Sequence, residues 1–145
     1  MNDTKPKIDH LKIQVNDPED LELFSSIIQD SLVSIKDISY FPEEHRFILI
    51  LNRFCWEKIN DPFSNFERTL SALILNNVVS VQTQNINFTK NYCLLNLLSL
   101  SLNHDHELLL TFSGKAAIKI HIQKLSCYLD DFGQTWPAWT IPVHY

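Results

Sequence analysis

From Ile8 to Val15 apolar and polar residues alternate, with Leu11, Ile13 and Val15 on one side and Lys12, Gln14 and Asn16 on the other. A period of two predicts a strand with one buried face. The alternation stops at Asp17. Asp17 is a good N-cap, Pro18 suits the first helical position, and Glu19 and Asp20 sit where the helix dipole favours negative charge. Leu21, Phe24, Ile27, Ile28 and Leu32 then recur at helical spacing, which predicts a helix from Pro18 to about Ser31 packed on one face.

After Leu32 the texture is that of β-structure. Leu32 to Phe41 alternates, Pro42-Glu43-Glu44-His45 makes a turn, and Arg46 to Trp56 is rich in Phe, Ile and Leu, so the pair predicts a hairpin. Asp61 to Asn65 is loop-like. Thr69 to Leu75 and Val78 to Gln84 flank Asn76-Asn77, a turn tolerant of positive φ. Tyr92 to Leu102 and Glu107 to Phe112 flank a turn at Asn103 to His106, and Ala117 to Ile122 alternates again. Leu125, Tyr128, Leu129 and Phe132, spaced by three and four and followed by Gly133, predict a second helix with an αL cap.

These elements give an α+β chain of predominantly antiparallel β-structure. Seven strands follow the first helix, and a helix follows the last strand. That order matches a pleckstrin-homology-like barrel of seven strands with a C-terminal helix, preceded here by an added strand and helix. Another α+β roll of the same element order fits equally. No repeat or domain boundary interrupts residues 1–145, so one domain is expected, with a core over about 8–133. The tail 134–145 holds Trp136, Pro137, Trp139 and Pro142 and is expected to lie docked, because exposed indoles would leave a large apolar patch.

Composition narrows the chemistry. A net charge of -5, with Lys and Arg scattered singly, argues against a nucleic-acid partner. The polar opening Met1 to Lys7 is expected to be neither signal peptide nor anchor, and Tyr92 to Leu102, broken by Asn96, Ser99 and Ser101, is too short to span a bilayer as a helix. Three cysteines (Cys55, Cys93 and Cys127), without a C-x-x-C pair, suit free thiols in a cytoplasmic protein. With only Gly114 and Gly133 there is no glycine-rich phosphate loop, and no G-x-S-x-G elbow occurs.

The candidate sites are few. In a continuous strand Arg53, Cys55 and Glu57 share one face, so Arg53 and Glu57 are expected to pair on the surface while Trp56 completes the core or anchors a contact. Arg46 lies at the other end of the same predicted strand. Arg46, Arg53, Trp56 and Glu57 are thus the expected partner-binding residues, Trp with Arg being typical of binding hot spots. His104-Asp105-His106 offers two imidazoles but lacks a third ligand of useful spacing, which His10, His121 or His144 would have to supply in space; no metal and no cofactor is expected. Each cysteine sits in an apolar pattern, which favours packing over nucleophilic catalysis. Trp136, Trp139, His144 and Tyr145 form a recognition tail only if the tail is not docked.

Several stretches together resemble an uncharacterised, mainly alphaproteobacterial family. They are Leu11-Lys12-Ile13 with Asp17 to Leu21 and Gln29-Asp30, then Asn52 to Glu57, Phe112-Ser113-Gly114 with Ala117-Ile118, and Leu129 to Gly133 with Trp136, Pro142 and His144. The resemblance runs from Leu11 to His144. It implies a small cytoplasmic single-domain protein and brings no activity, cofactor or partner. The family tends to have arginine where this chain has Cys55, which weakens any doubly basic anion clamp there. The expected function is a non-catalytic protein- or peptide-binding or scaffolding module. The alternative is a small enzyme or ligand carrier using a barrel cavity, with Arg46 or Arg53 facing an anionic ligand.

Overall fold

The computed structural model describes residues 10–60, 66–90, 92–104, 106–138 and 141–142. Its strands are β1 (Lys12–Val15), β2 (Ser31–Ser34), β3 (Ile38–Phe41), β4 (Arg46–Phe54), β5 (Glu67–Leu75), β6 (Val78–Gln84), β7 (Leu94–Asn103), β8 (Glu107–Phe112), β9 (Ala117–Ile122) and β10 (Cys127–Pro137). One α-helix, α1 (Leu21–Ile28), precedes β2. The strands form one sheet of order β1-β10-β5-β4-β2-β7-β8-β9-β6, with β3 beside the first half of β4, and every pairing is antiparallel. The ends β1 and β6 do not pair, so the sheet is open.

This corrects the barrel expectation at two points. The sheet does not close, and the segment expected as a C-terminal helix is the strand β10. Its pattern fits both periods: Leu125, Tyr128, Leu129 and Phe132 are spaced for a helix, while Cys127, Leu129 and Asp131 alternate inward against β5. The inward position taken by a carboxylate, Asp131, is what hides the strand. Gly133 does adopt a positive φ of 80°, but it serves the irregularity between Phe132 and Trp136 in β10 and caps no helix.

The first helix is shorter than its periodicity suggests. Pro18–Asp20 is a 3-10 turn leading into α1, and the chain turns at Asp30, φ 63°, to start β2 at Ser31. Asp17 precedes that turn in extended conformation, and its carbonyl, not its side chain, accepts the Asp20 N–H. Between β2 and β3 lies a second 3-10 turn, Ile35–Asp37, where one long strand was expected. The β3–β4 hairpin forms across Pro42–Glu44, with His45 at φ 53°. Asn77 takes the left-handed conformation, φ 59°, yet β5 and β6 do not pair: β5 lies between β4 and β10, and β6 pairs with β9. Left-handed turns here fall mainly on Asn, Asp and His, the side chains most tolerant of it, in a chain with two glycines. Residues 61–65, expected as a loop, and Asp105 lie outside the described residues.

The core collects one face of almost every strand. Phe47, Leu49, Leu51, Leu73 and Leu75 from β4 and β5 join Leu97, Leu108, Leu110, Phe112, Ile118 and Ile120 from β7 to β9 in a single cluster, with Leu21, Phe24 and Ile28 of α1 packed into it. Each fully buried side chain of this kind contributes about 1.5–3 kcal/mol relative to exposure. No helix among the described residues is long and apolar enough to cross a membrane.

The cysteines are free thiols. Burial pushes the Cys127 thiol up to about 12, and pushes Cys55 up to about 11 against the opposing charge of Arg53, from an ordinary 9.0. The folded chain thus holds them neutral where the unfolded chain ionises them. Their contribution to stability is complete below the unfolded pKa and is lost as pH rises towards the folded one. The denaturation midpoint should therefore decline above about pH 9, and more steeply in the parent than in Cys127→Ala. Parallel pH profiles for the two proteins between about pH 9 and 11 would contradict this.

Candidate binding site

Arg53 is the largest fully buried side chain among the described residues. It lies on the inward face of β4, opposite Thr69 of β5. Its guanidinium has five N–H donors, and the surroundings offer an acceptor to every nitrogen. Nε donates to Asp131 Oδ1 at 3.2 Å and to Ser71 Oγ at 3.3 Å, and Nη2 donates to Asp131 Oδ2 at 2.8 Å. Nη1 and Nη2 also hold Glu57 through Oε2 at 2.8 Å and Oε1 at 2.9 Å, and Nη1 reaches the Phe54 carbonyl at 3.4 Å. Ser71 donates its hydroxyl to Asp131 Oδ1. Burial alone disfavours the guanidinium charge, but the hydrogen bonds to Glu57 and Asp131 outweigh it and raise the pKa of Arg53.

Asp131 carries the network into the backbone. Its Oδ2 accepts the Leu11 N–H at 3.0 Å, and its own N–H donates to the Leu11 carbonyl at 2.9 Å, which fixes the entry to β1. Glu57 arrives by a different route from the one expected. The strand ends at Phe54, and a 3-10 turn over Trp56–Lys58 swings Glu57 back onto Arg53. The pair is therefore not a surface pair along one strand face: the Arg53 side chain is 0% exposed and Glu57 27%.

The other expected residues separate. Trp56 is half-buried, donates its indole N–H to the Gln29 carbonyl at 2.8 Å, and meets the Phe54 ring edge-on at 4.6 Å. Arg46, at the far end of β4, is exposed and binds Glu44 at 3.4 Å and Asn76 at 3.2 Å. Arg53, Trp56 and Glu57 thus gather at one end of the sheet without Arg46. Trp136 lies in the continuation of β10 opposite Arg68, and the Ala138 N–H donates to the Phe66 carbonyl; Trp139, His144 and Tyr145 lie outside the described residues.

On the outward face, directly behind this network, the surface is hollowed. One depression of about 340 Å³ is lined by Asp30, Leu32, Arg68, Asn96, Trp136, Pro137, Ala138 and Pro142. A second, of about 480 Å³, shares Leu32 and continues past Asn52, Ile50, Leu70, Tyr92 and Leu94 to Lys36 and Asp37. Paired residues across strands share a face, and the register Asn52↔Leu70, Leu32↔Asn52 and Ser34↔Leu94 sets the two depressions side by side on the outward face of β5, β4, β2 and β7, adjoining at Leu32. Their apolar side chains are unusually open, with Leu70 37%, Leu94 63% and Tyr92 77% exposed. Arg68 forms the polar floor: its guanidinium lies 5.8 Å over the Phe54 ring, Nη1 donates to the Asn52 carbonyl at 3.0 Å and to Asn52 Oδ1 at 3.3 Å, and burial, opposed by the charge of Asp30, lowers its pKa. A wider hollow of about 660 Å³ between α1 and β7 is lined mostly by serines and leucines, with Glu22 and His104.

A family model covers residues 11–144. The chain belongs to the family described as Protein of unknown function (DUF2948). No curated protein and no solved structure matches it.

Sequence reasoning missed Asp131, Arg68, Asp30 and Asn96. Asp131 carried a signal: in the strand register it is the one charged residue among inward-facing Cys127 and Leu129. Arg68 follows a stretch expected to be loop and carried none.

Proposed function

We propose that this chain is a non-catalytic module that binds an extended segment of a protein partner along the groove on the outward face of β5, β4, β2 and β7. The observation that carries the reading is the pair of depressions adjoining at Leu32, with an apolar lining of Leu32, Ile50, Leu70 and Leu94 and polar groups at both ends, Arg68 and Asp30 at one and Lys36 and Asp37 at the other. An apolar track with a few placed polar groups suits side-chain pockets and a fixed orientation of a peptide. The sheet edges suit a partner strand less. β1 has four residues and carries Lys12, while β6 has its first residues covered, where the Val79 carbonyl accepts from Tyr40 and the Val78 N–H donates to the His45 carbonyl.

The buried charges support binding over catalysis. Arg53 has all its nitrogens committed, and the Cys55 and Cys127 thiols are held neutral in the interior, so neither supplies a nucleophile or an anion clamp to solvent. The expected roles of Arg53 and Glu57 become structural in this reading: they brace the strands whose outward face binds.

Selection from a random peptide library, followed by fluorescence anisotropy, tests the reading. Selected peptides should bind the parent and lose about tenfold or more in affinity on Leu94→Asp, a change worth about 1.4 kcal/mol or more at an exposed anchor. Circular dichroism and melting of Leu94→Asp should match the parent, because the side chain is 63% exposed. Selected peptides that bind Leu94→Asp unchanged, or a library that yields no binders, would sink the proposal.

A further inference from the structure

Within that groove, we infer that the Arg68 end captures the terminal carboxylate of a peptide, with the last peptide N–H received by Asn96. The inference rests on the groove being the peptide site and adds the direction and chemistry of the occupant.

Its basis is the set of polar atoms around one hollow that lack a hydrogen-bond partner among the described residues. Arg68 uses Nη1 on Asn52, and among the described residues Nε and Nη2 make no hydrogen bond. Those two nitrogens form the side edge of the guanidinium, which matches the two oxygens of a carboxylate in a paired, parallel contact. The same edge of Arg53 does this in the interior, where Nε and Nη2 take Asp131 Oδ1 and Oδ2 at 3.2 and 2.8 Å. The Arg68 head is held against Phe54 and Asn52, so its open edge is oriented in advance and little side-chain freedom is lost on binding.

Asn96 lines the same hollow, and its Oδ1 is buried and, among the described residues, accepts no hydrogen bond. A buried acceptor left so is costly, by about 1–3 kcal/mol, and a ligand N–H relieves that cost. Arg68 and Asn96 together describe a carboxylate beside an N–H donor, which is the end of a polypeptide. Trp136, Pro142 and Leu32 complete the hollow with apolar surface for the last side chain. Asp30 also lines it, and its carboxylate sets a limit on charge: it tolerates one ligand carboxylate neutralised by Arg68 and opposes a dianion such as phosphate.

N-acetyl-leucine carries this chemistry in its smallest form, and N-acetyl-leucinamide removes only the charge. NMR titration of the full chain at pH 7 should give saturable shifts of the Trp136 indole and the Asn96 side-chain amide with N-acetyl-leucine. N-acetyl-leucinamide and inorganic phosphate should each bind at least tenfold more weakly. Arg68→Gln should remove the preference for the free acid, and Arg68→Lys, which keeps the charge without the paired edge, should retain only part of it. Equal binding of acid and amide, phosphate binding as tight as the acid, no saturable shift, or an unchanged preference in Arg68→Gln would each overturn the inference. Library-selected peptides that bind equally well as free acids and amides, yet are lost in Leu94→Asp, would overturn it while leaving the groove reading standing.

Discussion

Replacing Arg53 by alanine is expected to destabilise the protein by about 3–5 kcal/mol, the range for removing one partner of a buried ion pair. The loss arises less from the missing attraction than from what remains: Asp131, with its side chain 2% exposed, is left in the interior without its main counter-ion. Asp131→Ala should cost the same order and should also loosen β1, whose Leu11 N–H it holds. Glu57→Gln should cost only about 1 kcal/mol, because its side chain is 27% exposed and water replaces part of what it loses. The double replacement Arg53→Met with Asp131→Leu should recover much of the loss, since an apolar pair of similar volume leaves no charge behind. Urea midpoints of the four variants give the comparison. An Arg53→Ala protein within about 1 kcal/mol of the parent would mean that the network is dispensable.

Phe54→Ala should be about as damaging, at roughly 3–5 kcal/mol. Phe54 is on the outward face of β4, yet it is fully buried, because Trp56 at 4.6 Å, Phe66 at 6.3 Å and the Arg68 guanidinium at 5.8 Å cover it. Truncation removes the surface on which Arg68 rests and a contact of the Trp56 ring, so the polar floor of the groove should lose its orientation as well as its support. Phe54→Leu fills part of the space and should cost less, about 1–2 kcal/mol, because less volume is vacated. Chemical denaturation gives the energies, and the Arg68 Nε–H resonance reports the orientation. A Phe54→Ala protein as stable as the parent, with an unmoved Arg68 resonance, would show that the ring supports neither.

The sequence made the mainly β, α+β character legible because most strands have one apolar face: β4, β8 and β9 bury alternate residues along nearly their whole length. It made the first helical segment legible through Pro18 and the spacing of Leu21, Phe24 and Ile28. It did not disclose pairing. Nothing local distinguishes a β5 that returns beside β6 from one that lies between β4 and β10, since both choices bury Leu73 and Leu75. The helix expected over Leu125 to Phe132 fails where a tertiary demand overrides the pattern. Asp131 is inward because Arg53 is there, and a buried carboxylate reads locally as an outward one. Of the residues singled out by composition, Arg53, Trp56 and Glu57 gather at one end of the sheet and Arg46 does not. Burial, which decides that Arg53 braces and Arg68 faces the groove, depends on contacts between β4, β5 and β10 that no window of sequence contains.

The position of β10 also governs the order in which this molecule can assemble. β10 lies between β1 and β5, and the backbone link Asp131 to Leu11 spans 120 residues of chain. During synthesis β1 emerges ahead of the other described strands but has no neighbour until β10 follows them, and β5 waits with one long side unpaired for the same event. Closing contacts so distant in sequence slows folding, and an open strand edge invites pairing with another nascent chain. Maturation should therefore be a late, concerted step in which β10 enters its slot and Arg53 acquires its carboxylate together. Yield of the folded chain should depend on how well the half-built sheet is shielded until then.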